Sequence, residues 1–463
     1  MNTLYELQQA VGGQVHWPAA AARNPKTVRW GPVSIDSRQV EPGSVFWALH
    51  GPRHDGNDFA ADALARGASG AVVDRPIEAP AGHWTLEVPD TLAALRQWAA
   101  WKRRRFSGVV IAVTGSVGKT TTRQMIHTIL ATRLAGSATP RNYNNHIGVP
   151  VSMSRIEPHH DYAVLELGAS RRGEIAELAE LAAPKIGAIT HVGEAHLGGF
   201  GGRHGVAVAK AELLAALPPD GHAVLGDDPW LRRLAQGCKA PITWVGRGAE
   251  CDLAATDVRC GRGVLSFRLR QCEFSIPVWG RHHLVSALVA IATGRIMGFD
   301  LEQMAAALGQ FRSLPMRCEV TEIRGATVIN DTYNASPTAM RAALELLRDF
   351  DAPGRRIFVC GDMAELGDEA TLLHRQLGSQ VVTLCGADLL IACGQHAREV
   401  VAGARGAGMP QAHAIPCRTP EETLPYLGQA ILPGDVVLVK GSRVLAMERV
   451  VEAMGQYPRR HSA

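Results

Sequence analysis

The residues best suited to chemistry form one run, Thr114-Gly115-Ser116-Val117-Gly118-Lys119-Thr120-Thr121. An uncharged, β-branched-rich stretch at 109–113 precedes it, and TTRQMIHTILATRL continues from it with Met125, Ile126, Ile129 and Leu130 at helical spacing. A strand, a glycine turn and a helix in that order place backbone N–H groups where they cradle phosphates. Gly115 and Gly118 let the backbone approach, and Ser116 and Val117 lie in the turn between them. Lys119 supplies a cation for the terminal phosphates, and the hydroxyl of Thr120 or Thr121 is in place to reach magnesium. Val113 stands where the strict G-x-x-x-x-G-K-[ST] pattern has its first glycine. The flanking strand and helix still predict a nucleoside triphosphate site.

Other candidates lie at predicted strand ends. Glu166 closes a strand and is a natural magnesium ligand beside a phosphate loop. His196 follows another strand in GEAHLGGFG; taken alone, it reads by default as a hydrogen-bonded structural histidine. Lys210, in VAVAKAELLAAL, reads by default as a solvated helix lysine. Asp331, in NDTYNASP, is either a helix-initiating turn residue or an acceptor for a ribose hydroxyl. In Lys440-Gly441-Ser442-Arg443, backbone donors and two cations suit an anionic substrate group.

These residues are spread over a chain of 463, long enough for about three domains. Hydrophobic residues are 46% and charged residues 20%, ordinary globular composition that excludes a mostly disordered chain. A net charge of +4 is too weak a bias to argue for nucleic acid or an anionic membrane. The nine cysteines begin at Cys238 and include no C-x-x-C pair, which argues against a disulfide framework or a zinc site and fits a reducing cytosol. No signal-peptide pattern or membrane-length apolar run is visible, so a cytoplasmic protein without stable membrane insertion is expected.

Strands at 162–167 and 186–192 flank the helix GEIAELAELA, the alternation of a doubly wound parallel sheet. A helix with Phe59, Ala63 and Leu64 on one face is expected before a strand at 71–73, and Lys102 to Arg105 read as a solvated helix end. The stretch 241–279 carries short alternating strands. The alternation then resumes with Ser336-Pro337 opening a helix and strands at 356–360, 389–393 and 436–439. The expected fold class is α/β with three domains: an N-terminal α/β domain over 1–106, a central doubly wound P-loop domain over 107–313, and a Rossmann-like C-terminal domain over 314–463.

Taken together, the motifs resemble the Mur ligases over essentially the whole chain. They are Ser34-Ile35-Asp36-Ser37-Arg38, TGSVGKT, Asn144-Asn145-x-Ile147-Gly148-Val149-Pro150, Glu166-x-Gly168-Ala169-Ser170, Glu194-Ala195-His196-Leu197 and Ala209-Lys210-x-Glu212. Arg317-x-Glu319, Asp331-x-Tyr333-Asn334-Ala335-x-Pro337, Gly361-Asp362-Met363-x-Glu365-Leu366-Gly367 and the KGSR turn complete them. YNA-x-P with GDM-x-ELG points to the branch that adds a dipeptide, and the D-N-P-R-like signature of the diaminopimelate- or lysine-adding branch is absent from the sequence.

The resemblance implies ATP-dependent amide formation between UDP-N-acetylmuramoyl-tripeptide and D-alanyl-D-alanine through an acyl phosphate, in a monomer. It implies Lys119, Glu166, His196 and Lys210 as catalytic, with one Mg²⁺ on Thr120 and Glu166 and a second on His196 and a carbamylated Lys210. It places Arg317 at the phosphates, Asp331 at the ribose and His283 toward the base. Ser34, Ser37 and Arg38 fall to the uridine nucleotide, Asn144 and Asn145 to the sugar-peptide, and Ser442 and Arg443 to the incoming dipeptide, with Ser170 and Asn334 also substrate-binding. The family's Gly-x-His-Asn-x-x-Asn-Ala-Leu run appears as Gly280-Arg281-His282-His283-Leu284-Val285-Ser286-Ala287-Leu288, and its Asp-Asp pair as Asn330-Asp331. Two other readings are a sibling amide ligase with a different amino substrate and a non-catalytic nucleotide-binding paralogue. The paralogue is expected to lose Lys119, Glu166, His196 or Lys210 first, and all four are present.

Overall fold

The computed structural model describes residues 2–18, 23–351 and 353–456. Its centre is a seven-stranded, wholly parallel sheet in the order Leu253–Ala254, Ile242–Gly246, His222–Gly226, Ile186–Ile189, Val109–Thr114, Tyr162–Glu166, Gly136–Ala138. Val109–Thr114 lies in the middle because its residues are apolar on both faces. Val110 and Ala112 join one core cluster, Ile111 and Val113 the other. After Val109–Thr114 the chain runs to one edge, returns through Tyr162–Glu166, and then crosses to Ile186–Ile189 on the other side. That reversal leaves a crevice at the strands' C-terminal ends, where parallel sheets bind ligands. The phosphate loop, Glu166 and the segment from Thr190 to His196 all fall there.

A six-stranded sheet follows in the order Glu319–Ile323, Ala326–Asn330, Val436–Lys440, Arg356–Gly361, Leu389–Cys393, Ala414–Cys417; its first pair is antiparallel and the rest parallel. Ala326–Asn330 and Val436–Lys440 are neighbours, so Asp331 and the KGSR turn emerge side by side. Ser336 caps the helix Pro337–Asp349, accepting from the Ala339 N–H, as its Ser-Pro sequence predicts. One core runs without a break from Val110 and Leu165 through Met340 and Leu344 to Phe358 and Leu438, joining the two parallel sheets. A mixed five-stranded sheet over Gln14–His16, Trp84–Glu87, Gly70–Val73, Val45–Trp47 and Val33–Ser34 carries the N-terminal region, and Thr256–Gly261, Val264–Leu269 and Cys272–Ile276 form a small antiparallel sheet. Among the described residues no helix is long and apolar enough to cross a membrane, and the nine cysteines are free thiols.

Two sequence expectations are corrected here. Phe59 is exposed as the N-cap of the helix Ala60–Ala65, whose buried face is Ala60 with the expected Ala63 and Leu64. The basic end of Thr91–Arg105 is not simply solvated. Lys102 is buried and donates to Asn2 Oδ1 at 3.1 Å, its ammonium held below the usual lysine range by burial. Arg103 donates to the Ala182 and Ala183 carbonyls, capping the helix Glu174–Ala182, and Arg105 lies over Trp101.

Candidate active site

Two glycines bring the phosphate loop close to its neighbours. Gly115 has φ +143° and Gly118, the N-cap of the helix Lys119–Leu130, has φ +82°. Both values favour glycine. The adjacent strand end pins the loop: Ser116 N–H donates to the His191 carbonyl at 2.9 Å, and the Thr190 hydroxyl donates to the Val117 carbonyl at 2.6 Å. The Ser116 hydroxyl donates to the Gly193 carbonyl and accepts from the Gly193 N–H. Lys119 folds over the loop, its Nζ 2.7 Å from the Gly115 carbonyl oxygen. Burial holds this ammonium below the ordinary lysine range; Glu166 opposes the shift and Arg317 adds to it. A Cβ on Gly115 would collide with the Thr190 hydroxyl. Gly115→Ala is therefore expected to cost ~1–3 kcal/mol of loop strain, weakening ADP binding about ten- to a hundredfold in a calorimetric titration. Unchanged affinity would show that the loop does not form the phosphate cradle.

Glu166 ends its strand almost fully buried. Its Oε1 accepts from Asn144 Nδ2 at 2.8 Å, while Oε2 is buried without a hydrogen-bond partner. Arg123 Nε stands 3.7 Å from that oxygen and is itself unbonded. A buried carboxylate oxygen kept open in this way is unusual, since such groups nearly always find a donor. It fits a hard cation, which takes carboxylate and hydroxyl oxygens. Thr120 is buried in the first turn of the following helix, and its hydroxyl accepts from Arg317 Nη2 at 2.9 Å. Thr121, one residue on, is buried too. Arg317 also lies over the Tyr333 ring at 3.9 Å, so a third-domain cation is fixed directly above the phosphate loop.

Lys210 overturns its default reading. The helix Arg203–Ala215 buries it at 2% exposure among Val206, Leu213 and Leu214, with Nζ 5.2 Å from the centre of the Phe200 ring. Burial, then the nearby charge of Lys119, lowers this ammonium to about 7. Glu212 does not pair with it, because Glu212 accepts the Gly173 and Ala176 N–H groups at the start of Glu174–Ala182. His196 sits in left-handed backbone, φ 57°, and its Nδ1 pairs with Glu365, itself at φ 62°. The Gly198 N–H donates to the Glu365 carbonyl, so this contact ties the central sheet's loop to the third domain. Nδ1 being taken, Nε2 is the nitrogen of His196 left to face a ligand. Ser170 is exposed and donates to Glu174 through its N–H and hydroxyl.

The third-domain edge corrects the expectation of two available cations. Lys440 is buried and spends its three donors on Asp331 Oδ2 at 2.6 Å and the Asp331 and Asn334 carbonyls. Arg443 is the exposed cation of the turn, held at 2.7 Å by Glu448, while Ser442 is buried and Asn334 exposed. Asn330 Oδ1 accepts from the Thr332 hydroxyl and N–H, two bonds that an aspartate at this position would accept as well. His283 opens the helix His283–Ile296, and Ser286, one turn on, contacts the Gly118 carbonyl at 3.5 Å. Ser34, Ser37 and Arg38 are not gathered into this cleft. They form a local turn in which Arg38 donates to Asp36, holding that carboxyl below its usual range. Asn145 accepts from the Ile147 and Gly148 N–H groups, and the neighbouring Arg141 reaches Gln39, linking this loop to the N-terminal turn. Thr139, whose hydroxyl accepts from the Glu166 N–H at 2.9 Å and whose carbonyl accepts from Arg123, carries no individual signal in the sequence, nor do Arg123 and Thr190; Glu365 carries one, its place in GDM-x-ELG.

Comparison with known proteins identifies the family. The family described as Mur ligase middle domain matches residues 113–294, the Mur ligase glutamate ligase domain 316–443, and the Mur ligase family catalytic domain 32–103. The UDP-N-acetylmuramoyl-tripeptide–D-alanyl-D-alanine ligase of Bacillus subtilis is 34% identical over 92% of this chain and 93% of its own, and that of Escherichia coli 35% identical over 91% and 93%. The crystal structure of MurF from Acinetobacter baumannii superposes with a TM-score of 0.85 at 32% identity, covering 98% of this chain and 99% of that one. The Thermotoga maritima MurF ligase in complex with ADP does so with 0.77 at 29%, covering 92% and 97%. With identity above 30% along nearly its full length and all three regions matched, the chain belongs to the Mur ligase family.

Proposed function

We propose that this chain is the ATP-dependent ligase joining D-alanyl-D-alanine to UDP-N-acetylmuramoyl-tripeptide, a cytoplasmic step of peptidoglycan synthesis carried out by a monomer. The observation that carries the reading is the Arg317–Thr120 hydrogen bond, which sets a third-domain cation on the central domain's phosphate loop. A simple nucleotide-binding module has no use for a second domain there. An enzyme that must bring an amine to a phosphorylated acid does.

The tripeptide's terminal carboxylate is a poor electrophile. Its oxygen takes the γ-phosphoryl of ATP, ADP leaves, and the dipeptide amine attacks the resulting acyl phosphate. The tetrahedral adduct then loses a proton and expels inorganic phosphate. Lys119, the loop N–H groups other than that of Ser116, and Arg317 offset the charge that builds on the transferring phosphoryl. Magnesium supplies further charge neutralisation when held by Thr120 and Glu166, and by His196 with a carbamylated Lys210. Asn144 and Arg123 orient Glu166, and Lys440 orients Asp331 for the ribose. His283 faces the base, Asn334, Ser442 and Arg443 receive the dipeptide, and Asn144, Asn145 and Ser170 the sugar-peptide. Ser34, Ser37 and Arg38 take the uridine nucleotide. These duties divide among domains over 1–106, 107–313 and 314–463.

Phosphate release by purified protein with ATP, Mg²⁺ and UDP-N-acetylmuramoyl-tripeptide should require D-alanyl-D-alanine as well. The product should be heavier by the dipeptide less one water. Release needing neither substrate, or none with both, would overturn the assignment.

A further inference from the structure

Beside the phosphate cleft, His282, His283 and Cys318 meet. One ligand atom from each lies within 4.8 Å of the other two, and among the described residues this is the group of three or more His, Cys, Asp or Glu close enough to hold a metal ion. His282 Nε2 is 3.9 Å from Cys318 Sγ, and the two imidazole centroids are 4.1 Å apart. His283 is 6% exposed, and its Nε2 is buried with no hydrogen-bond partner. Cys318 is 3% exposed and sits at φ 53°, a left-handed conformation that an L-residue holds only where its surroundings impose it. The magnesium reading uses none of these three groups.

The donor chemistry narrows the ligand. Zinc-type bonds of roughly 2.0–2.1 Å to nitrogen and 2.3 Å to sulfur set two nitrogens about 3.3–3.4 Å apart, and a nitrogen and a sulfur about 3.5–3.6 Å apart, around one tetrahedral ion. The His282–Cys318 separation of 3.9 Å is ~0.3 Å longer than that, a gap that a small turn of the imidazole closes. Two imidazoles and a thiolate select a borderline or soft ion and not Mg²⁺, which takes oxygen. His282 is exposed, so the site has an entry path and a side open to water.

We propose that His282, His283 and Cys318 form a binding site for one zinc-type divalent cation, separate from the magnesium site at Glu166. On binding, the cation accepts an electron pair from each imidazole and from the sulfur, and the Cys318 thiol proton leaves to solvent. His283 also belongs to the nucleotide-facing set proposed above, so cation and nucleotide are linked through it, and each should weaken the other equally. Only that linkage rests on the ligase reading.

Cobalt(II) is the probe. Titrating metal-free full-length protein with Co²⁺ should give one bound ion per chain and a thiolate-to-cobalt charge-transfer band, both reversed by Zn²⁺. Cys318→Ser should abolish the band, and His282→Gln should weaken binding about tenfold or more. The exposed His282 tolerates replacement, so its variant decides the matter if Cys318→Ser does not fold. No band, or an equal band in the folded Cys318→Ser protein, would overturn the site. A normal band that saturating ATP leaves unmoved would overturn the placement of His283 at the nucleotide and leave the cation site standing.

Discussion

Lys119→Ala is expected to lower ligase turnover about a thousandfold or more, roughly 4 kcal/mol of transition-state stabilisation. The size follows from position. Lys119 opens the helix after the phosphate loop, its Nζ is 2.7 Å from the Gly115 carbonyl, and its environment is dry enough to depress its own ionisation. In such surroundings a fixed charge meeting a phosphoryl group in transfer acts far more strongly than in water. The fold should survive, because the ammonium donates to one carbonyl on its own loop. ADP affinity should fall much less than the rate, since the loop N–H groups still hold the phosphates. Lys119→Arg should not restore activity: the planar guanidinium cannot occupy the space of a compact ammonium folded onto the loop. Phosphate release with both substrates, alongside calorimetric ADP binding, separates the two effects. Turnover within tenfold of the unaltered enzyme would remove Lys119 from the chemistry.

What the sequence disclosed and what it hid divide by range. The phosphate loop is contiguous, so its strand, glycines and helix are legible from local pattern alone, as are Glu166 and Asp331 at strand ends. Pairings that depend on tertiary packing are not. Thr120 and Arg317 are 197 residues apart, and Asp331 and Lys440 109 apart; the second pair meets only because two parallel strands lie side by side. The His282, His283 and Cys318 cluster is hidden for the same reason, since cysteine spacing says nothing about a histidine on another element. Lys102 and Lys210 are legible by their helical phase. Lys102 continues the buried series Leu95, Trp98 and Ala99, and Lys210 stands four residues after Val206 and three before Leu213. A lysine on the apolar stripe of a helix is buried by the helix's own periodicity. The default of a solvated lysine ignores that phase.

Lys210→Ala is expected to cost about a hundred- to a thousandfold in turnover, a loss that formate or acetate should partly restore. An ordinary lysine, titrating at 10.5, is neutral in about one molecule in three thousand at pH 7. Lowered to about 7, Lys210 is neutral in about half of them. Only the neutral amine has the lone pair to attack carbon dioxide, giving a carbamate and releasing a proton. The burial that depresses the ammonium thus supplies the neutral amine, and the charge of Lys119, which repels the ammonium, attracts the carbamate anion that replaces it. The pH sign follows. Because the native value lies below the unfolded one, the charged lysine opposes folding, and stability contributed by this group rises with pH above about 7. Carbamylation should likewise fall as pH drops through about 7, and activity with it. Depleting carbon dioxide should lower the rate of the unaltered enzyme reversibly, with bicarbonate restoring it, while Lys210→Ala should ignore bicarbonate and respond to the short acids. The substitution also opens a cavity beside Phe200, so a measured melting temperature must accompany the rates. A folded Lys210→Ala enzyme with full activity, or one inactive yet untouched by formate and acetate, would assign the lysine to packing and leave the second cation position without its anion.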